Sequence, residues 1–250
     1  MNEVQVNRRY ARQIAIPQIG VAGQARLQTA RVLVIGAGGL GSPALFYLAA
    51  AGVGTLGIAD DDLLSSTNLN RQILYTPAGI GRNKVEQAAR RLRAFNPEIT
   101  IIPHIMRVSR ANGPALIADY DLVVEATDNL ASKALINELC VRARVPLVWA
   151  GVQRFEGQLS VVLPGHACRR CIFPELPEPG SQQSPAELGI IGATAGVIGT
   201  LQALEALKVL LGIGTPLVDQ LLLWDGLHHS FEKIQVTRTA NCPHCGQNEE

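Results

Sequence analysis

The sequence predicts an α/β fold: a doubly wound, mostly parallel sheet, lengthened by antiparallel strands in its C-terminal half. Three observations point there. Short apolar segments alternate with helical ones through the first 150 residues, as in a parallel sheet with a helix after each strand. Hydrophobic residues make up 47% of the 250 and aromatics only 4%, so the core is aliphatic and suits a sheet buried on both faces. A glycine-rich segment follows the first strand and opens the next helix, which makes the fold Rossmann-like.

The elements follow in order. Asn2 to Ala30 reads as an N-terminal helical arm, and Arg31–Ile35 (RVLVI) as a short buried strand. Gly36–Gly41 (GAGGLG) is a tight turn, and Ser42–Ala51 is a helix that tolerates Pro43 in its first turn. Gly57–Ala59 ends a second strand, with Asp60, Asp61 and Asp62 directly after it. Arg82–Phe95 is a basic amphipathic helix stopped by Asn96-Pro97. Ile99–Ile105 and Leu122–Ala126 are strands, Leu130–Arg144 a helix and Leu147–Ala150 a fifth strand. After Gly151 the pattern changes. Gly157–Leu163 reads as an antiparallel strand, and Pro174–Glu187, rich in Pro, Glu, Gln and Ser, as an exposed mobile loop. Ile190–Leu211 is a long apolar helix, and Leu221–Trp224 and Phe231–Val236 are the last strands. One domain spanning 1–250 is expected, with the arm at 1–30, a nucleotide-binding half at 31–150 and a second half at 151–250.

The formal net charge of +1 gives no electrostatic reason to expect a nucleic-acid or membrane surface. Met1–Tyr10 is polar, without a secretory h-region. The uncharged stretch from Val32 to Ala59 is broken by seven glycines and parses as strand, loop, helix and strand, not as a membrane span. A cytoplasmic location is expected. In that reducing setting, paired cysteines bind metal more often than they form disulfides.

Gly36-x-Gly38-x-x-Gly41 lies between a strand and a helix, where bare backbone and a helix N-terminus receive a phosphate. Asp60, 19 residues beyond Gly41, ends the next strand, where an acid bonds a ribose hydroxyl. This fits NAD, FAD or ATP alike; the bland alternative is a packing turn without ligand. Asp60, Asp62, Asn68, Arg71, Gln72 and Lys84 follow within 25 residues. A dehydrogenase needs few cations there. Attack at an α-phosphorus builds charge on the phosphoryl oxygens and on pyrophosphate, which Arg71, Lys84 and Mg²⁺ would stabilise. Arg90, Arg91 and Arg93 read instead as a solvated helix face. Thr127-Asp128-Asn129 ends a strand on the ligand side of the sheet. Asp128 is a Mg²⁺ or phosphate-side carboxylate there, or a helix cap; Asn129 as the cap would leave Asp128 free.

Cys168-x-x-Cys171 and Cys242-x-x-Cys245 are two turns of metal-ligand spacing. Four thiolates complete a closed tetrahedral zinc site, structural because no position is open. A redox disulfide is the alternative. His244 reads as a bystander and Cys140 as a buried apolar residue of a helix.

Together these motifs resemble the MoeB/ThiF/HesA family of ubiquitin-activating-like enzymes. The resemblance runs from Arg8-Arg9-Tyr10-Ala11-Arg12-Gln13 to Cys242-Pro243-His244-Cys245-Gly246, and Asn68-Leu69-Asn70-Arg71-Gln72 is its most specific piece. It implies ATP-dependent adenylation of the C-terminal Gly-Gly carboxylate of a small sulfur-carrier protein, giving an acyl-adenylate and pyrophosphate. It implies that Asp60 holds the ribose, that Gly38 and Gly39 lie against the nucleotide, that Asn68, Arg71 and Lys84 contact phosphates, and that Asp128 sits near Mg²⁺. It also implies a homodimer in which Arg12 reaches the neighbouring subunit's nucleotide. Family members often carry a cysteine before the long helix, whereas Ser181–Gly189 here has none. The chemistry is therefore expected to stop at the adenylate, with a separate sulfurtransferase delivering sulfur. Two other readings stay open: activation of a carboxylate on tRNA or a peptide, and an NAD-dependent oxidoreductase.

Overall fold

The structure is a computed structural model and describes residues 3–175 and 188–246, with side chains from Arg8 onward. The expected loop at Pro174–Glu187 lies almost wholly outside the described residues. Eight strands form one sheet in the order β3-β2-β1-β4-β5-β6-β7-β8. They are β1 (Arg31–Ile35), β2 (Thr55–Ala59), β3 (Thr100–His104), β4 (Leu122–Glu125), β5 (Leu147–Gln153), β6 (Glu156–Val162), β7 (Gln220–Asp225) and β8 (Ser230–Gln235). The first five are mutually parallel; β5 to β8 pair antiparallel in succession. The order reverses between β1 and β4, the switch point at which such sheets bind ligands beyond their carboxyl ends.

The helices are α1 (Glu3–Ile14), α2 (Gly20–Thr29), α3 (Gly41–Ala51), α4 (Lys84–Phe95), α5 (Gly113–Ala118), α6 (Leu130–Ala143), α7 (Arg169–Ile172) and α8 (Gly192–Leu211). The expected single arm is two helices. The break falls at Ala15–Ile19, where Pro17 supplies no amide donor. α5 was not anticipated, because six residues are too few to show a helical period. Asn83 starts α4 by accepting from the backbone N–H of Val85 at 2.9 Å. α4 ends at Asn96, whose buried amide donates to Tyr10 Oη (2.9 Å) and Ala49 O (2.7 Å), tying α1, α3 and α4 together.

Alternation along the strands divides the core. Val32 and Val34 of β1 and Leu122 and Val124 of β4 face one layer, where α2, α3, α4 and α8 pack. Leu33, Ile35 and Val123 face the other, with α5 and α6. α8 is long and apolar enough to cross a membrane, yet half of it is buried inside the protein against α3, β5 and β6.

Candidate active site

Strand register builds the site. Ile35 stands opposite both Ala59 of β2 and Glu125 of β4. The next residues, Gly36, Asp60 and Ala126, therefore leave the sheet side by side at one edge. Gly36 has φ +100°, and a Cβ there would stand 2.6 Å from Ala126 O. A Cβ on Gly41 would stand 2.0 Å from Gly36 O. Both glycines are required by the protein's own backbone. Gly38 differs: its φ is ordinary and the nearest atom to an added Cβ is Gln72 Nε2 at 3.7 Å. Its bareness leaves room above the loop for something that is not protein.

Asp60 is partly buried beside this loop. Its Oδ2 accepts from Ala37 N at 2.8 Å and its Oδ1 from Asp62 N at 2.9 Å. Burial raises its pKa, while the hydrogen bonds from Ala37 and Asp62 work the other way. Tyr75 Oη, buried beneath, donates to Ala37 O at 2.7 Å, and burial holds the phenol well above its usual pKa. Gln72 is buried, and its Oε1 has no hydrogen-bond partner among the described residues. An unpartnered acceptor beside an open glycine fits a bound polar group.

Lys84 reaches this corner through a backbone pairing. Lys84 N donates to Asp62 O (3.0 Å) and Leu64 N to Arg82 O (2.9 Å). The lysine is 5% exposed and its Nζ lies 2.7 Å from Asp62 Oδ2, so a buried cation stands next to the loop. Arg71 passes along Gly39, its Cγ and Cδ 3.4 Å from the Cβ position there. Its guanidinium donates to Thr67 O and Asn70 Oδ1, each at 3.0 Å. Asn68 Oδ1 accepts from Ser65 N at 3.0 Å. The side chains of Arg71 and Asn68 are thus held by their own turn. Arg90, Arg91 and Arg93 are exposed on α4, as a solvated face should be.

At the end of β4, Asn129 caps α6 by accepting from Ser132 N at 2.9 Å. Asp128 is exposed and has no polar partner among the described residues. Thr127 N lies 3.0 Å from the Cβ position of Gly36, so this turn walls the glycine loop. The carboxylates of Asp60, Asp61 and Asp62 also approach one another within 4.8 Å. Arg12 is not part of this cluster. α1 packs at the far end of α3, with Gln13 Nε2 donating to Ala51 O at 2.8 Å. Since α3 spans 11 residues, that end lies ~16 Å from the glycine loop.

Sequence reasoning missed Tyr75 and a buried ion pair. Glu125 is fully buried, and its Oε2 lies 2.9 Å from Lys133 Nζ. An acid at a strand's last position and a lysine eight residues further on were the signals available in the sequence.

The four cysteines of the two pairs converge, all Sγ atoms within 4.8 Å of one another. Cys168 Sγ to Cys242 Sγ is 3.7 Å and Cys171 Sγ to Cys245 Sγ is 3.4 Å. A tetrahedron with Zn–S of about 2.3 Å has edges of about 3.8 Å, so the set fits zinc with little movement. Burial pushes the Cys168 thiol up to about 11; a metal would take the site by displacing such protons. His244 Nδ1 pairs with Asn137 Nδ2 at 2.7 Å, and Asn137 Oδ1 accepts from Arg169 N. Cys140 is fully buried in α6, its pKa raised by burial.

Comparison with known proteins finds relatives over almost the whole chain. The ThiF family model matches residues 10–244. A sulfur carrier protein adenylyltransferase of Thermus thermophilus is 46% identical over 244 residues, covering 95% of this chain and 90% of the relative. A SAMP-activating enzyme E1 of Haloferax volcanii is 41% identical over 239 residues, covering 96% of this chain and 88% of the relative. Among solved structures, Escherichia coli MccB has a TM-score of 0.83 at 23% identity, covering 98% of this chain and 74% of that one. At that identity the likeness concerns the fold.

Proposed function

The chain belongs to the ThiF family, and from that premise we propose that it adenylates the C-terminal carboxylate of a small ubiquitin-like sulfur-carrier protein ending in Gly-Gly. It is an adenylyltransferase that uses ATP, in keeping with relatives named sulfur carrier protein adenylyltransferase, at 46% identity, and SAMP-activating enzyme E1, at 41%. One observation carries the reading of the site. An open glycine, a ribose-side acid, a buried lysine and an unpartnered aspartate meet at one end of the sheet. An oxidoreductase reading leaves Arg71, Lys84 and Asp128 without a task.

The steps follow from the charges. ATP lies over Gly36, Gly38, Gly39 and Gly41, with its ribose on Asp60 and its phosphates toward Asn68, Arg71, Gln72 and Lys84. For the ribose to reach Asp60 Oδ2, it displaces or shares the bond from Ala37 N. Lys84 turns from Asp62 toward the phosphates as their charge arrives. A carrier carboxylate oxygen attacks the α-phosphorus. The α-phosphorus–oxygen bond to the β-phosphate breaks, and pyrophosphate leaves with the bonding electrons. Arg71 and Lys84 stabilise charge growing on the phosphoryl oxygens. Asp128, beside Thr127 at the end of β4, would hold Mg²⁺, which when bound neutralises pyrophosphate charge. Asn129 serves by capping α6.

Cys168, Cys171, Cys242 and Cys245 would hold a structural Zn²⁺ that fixes the tail after β8 against α6 and α7. A homodimer is supported by Arg12's distance from its own loop and by exposed apolar side chains at Ile16, Val21, Tyr47 and Leu204. Arg12 would then complete a neighbour's site. Sulfur would come from a separate sulfurtransferase acting on the adenylate. Mass spectrometry tests the reading: the protein, ATP, Mg²⁺ and carrier should yield carrier bearing AMP. Carrier that stays unmodified, alongside a carboxylated peptide or tRNA that gains AMP, would replace the carrier by that acceptor.

A further inference from the structure

The buried pair of Glu125 and Lys133 has a task that follows from where it sits. Glu125 is the last residue of β4 and Asp128 lies three residues on. Glu125 Oε1 accepts from Thr127 N at 2.8 Å, from the Thr127 hydroxyl, and from Lys133 Nζ at 3.2 Å. Lys133 Nζ also donates to Glu125 Oε2 at 2.9 Å and to Ala150 O of β5 at 2.6 Å. Glu125 O accepts from Gln202 Nε2 of α8 at 2.8 Å. One carboxylate thus ties β4, β5 and α6 together and grips both donors of Thr127, while its own carbonyl is held by α8.

Such a pair is a weak device for stability. Desolvating two charges offsets most of their attraction, and an apolar pair of equal shape does as well. Its geometric effect is specific, because Thr127 cannot rotate without leaving a buried carboxylate short of donors. With Thr127 fixed from below and Asn129 fixed by its cap on Ser132 N, the backbone of Asp128 is clamped on both sides. Its side chain is left unengaged and exposed. The pair is also neutral in sum, and the carboxylate that the turn presents to solvent is that of Asp128.

We propose that Glu125 and Lys133 are positioning residues that hold Asp128 in the orientation by which it receives the metal of the metal–nucleotide complex. This rests on the adenylation reading above. Neither residue touches substrate; both act through the turn at Thr127.

The test is a double-mutant cycle read by calorimetry as the tightening of ATP binding that Mg²⁺ produces, at a temperature where every variant is folded. Lys133→Met and Asp128→Asn should each reduce that tightening by ~10-fold or more, the usual effect of disturbing a ligand's support, without weakening metal-free ATP binding. The double variant should lose no more than Asp128→Asn alone, since effects along one chain of contacts do not add. A purely structural role would lower melting temperature and leave the Mg²⁺ effect intact. Should Lys133→Met leave a lone buried carboxylate that prevents folding, the paired change Glu125→Leu with Lys133→Met removes both charges together and carries the same expectation. Additive losses in the cycle, or a Mg²⁺ effect that survives the change, overturn the proposal. Turnover of carrier by the wild-type protein is measured in parallel. Its absence would count against adenylation itself, whereas its presence with an additive cycle counts only against the positioning role.

Discussion

Gly38→Ala set beside Gly41→Ala separates a glycine kept for a ligand from one kept for the fold. At Gly41 a Cβ would stand 2.0 Å from Gly36 O, a backbone atom beneath which Ala126 also packs. That overlap must be relieved by moving β1 or α3, at a cost of about 1–3 kcal/mol. For a chain of 250 residues each kcal/mol shifts the melting temperature by ~2–4 °C, so Gly41→Ala should melt about 2–12 °C lower. At Gly38 the nearest atom to a Cβ is 3.7 Å away and φ is ordinary. The fold should register Gly38→Ala within about 0.5 kcal/mol, or gain slightly from a stiffer unfolded chain. Bound phosphate would meet the new methyl. A displacement of about 1 Å at the reacting group can cost ~100-fold in rate. Differential scanning fluorimetry and ATP-dependent turnover of carrier are the assays. Gly38→Ala with unchanged melting and ATP use at the wild-type level would show that the loop does not receive the phosphates. Equal destabilisation by both changes would refute the steric argument.

Three further expectations follow. Asp128→Asn should leave the melting temperature unmoved, because the side chain is exposed and unpartnered, while activity falls at least ~100-fold; Asn129→Ala should lower the melting temperature by losing a cap bond worth ~1 kcal/mol, with a smaller loss of activity than Asp128→Asn because it loosens one side of the turn and leaves the carboxylate in place. Elemental analysis should find zinc at one per chain, and Cys242→Ser or prolonged chelation should lower melting by about 5–10 °C through loss of a ligand that binds the folded state. His104 pairs with Tyr120 Oη at 2.8 Å, and burial lowers its pKa below 6.5, against the pull of Asp119. A depressed value means stability present above the unfolded pKa and lost as pH falls through the folded one. Urea unfolding at pH 7.5 and pH 5 should therefore show wild type losing more stability than His104→Gln on acidification; parallel losses would count against that assignment.

What the sequence disclosed depended on how local the information was. Gly36–Gly41, Asp60, the Asn129 cap and both cysteine pairs are read from spacings of a few residues, and the structure places each where its strand ends or turn requires. The meeting of the two cysteine pairs is long-range, yet metal chemistry made it readable. Strand ends were legible to within two residues, except that β5 runs on to Gln153, up to the turn into β6. The break before Gly20 turned on Pro17, and α5 is too short to announce itself. Glu125 with Lys133 stayed hidden because their meeting needs both the β4 register and the rotation of α6, neither of which is written in local sequence. The side-chain bonds of Arg71 and Asn68 to their own turn were likewise invisible to motif reading, which names residue types and not rotamers.

Exchange of labelled pyrophosphate into ATP tests the central claim most directly, because it reports reversible formation of an acyl-adenylate and nothing later. Exchange that needs both the protein and a carrier ending in Gly-Gly, and that vanishes when the last glycine is removed, is the result expected here. Absence of exchange with every such carrier, together with tight binding of NAD at the glycine loop, would contradict adenylation and return the site to the dinucleotide reading.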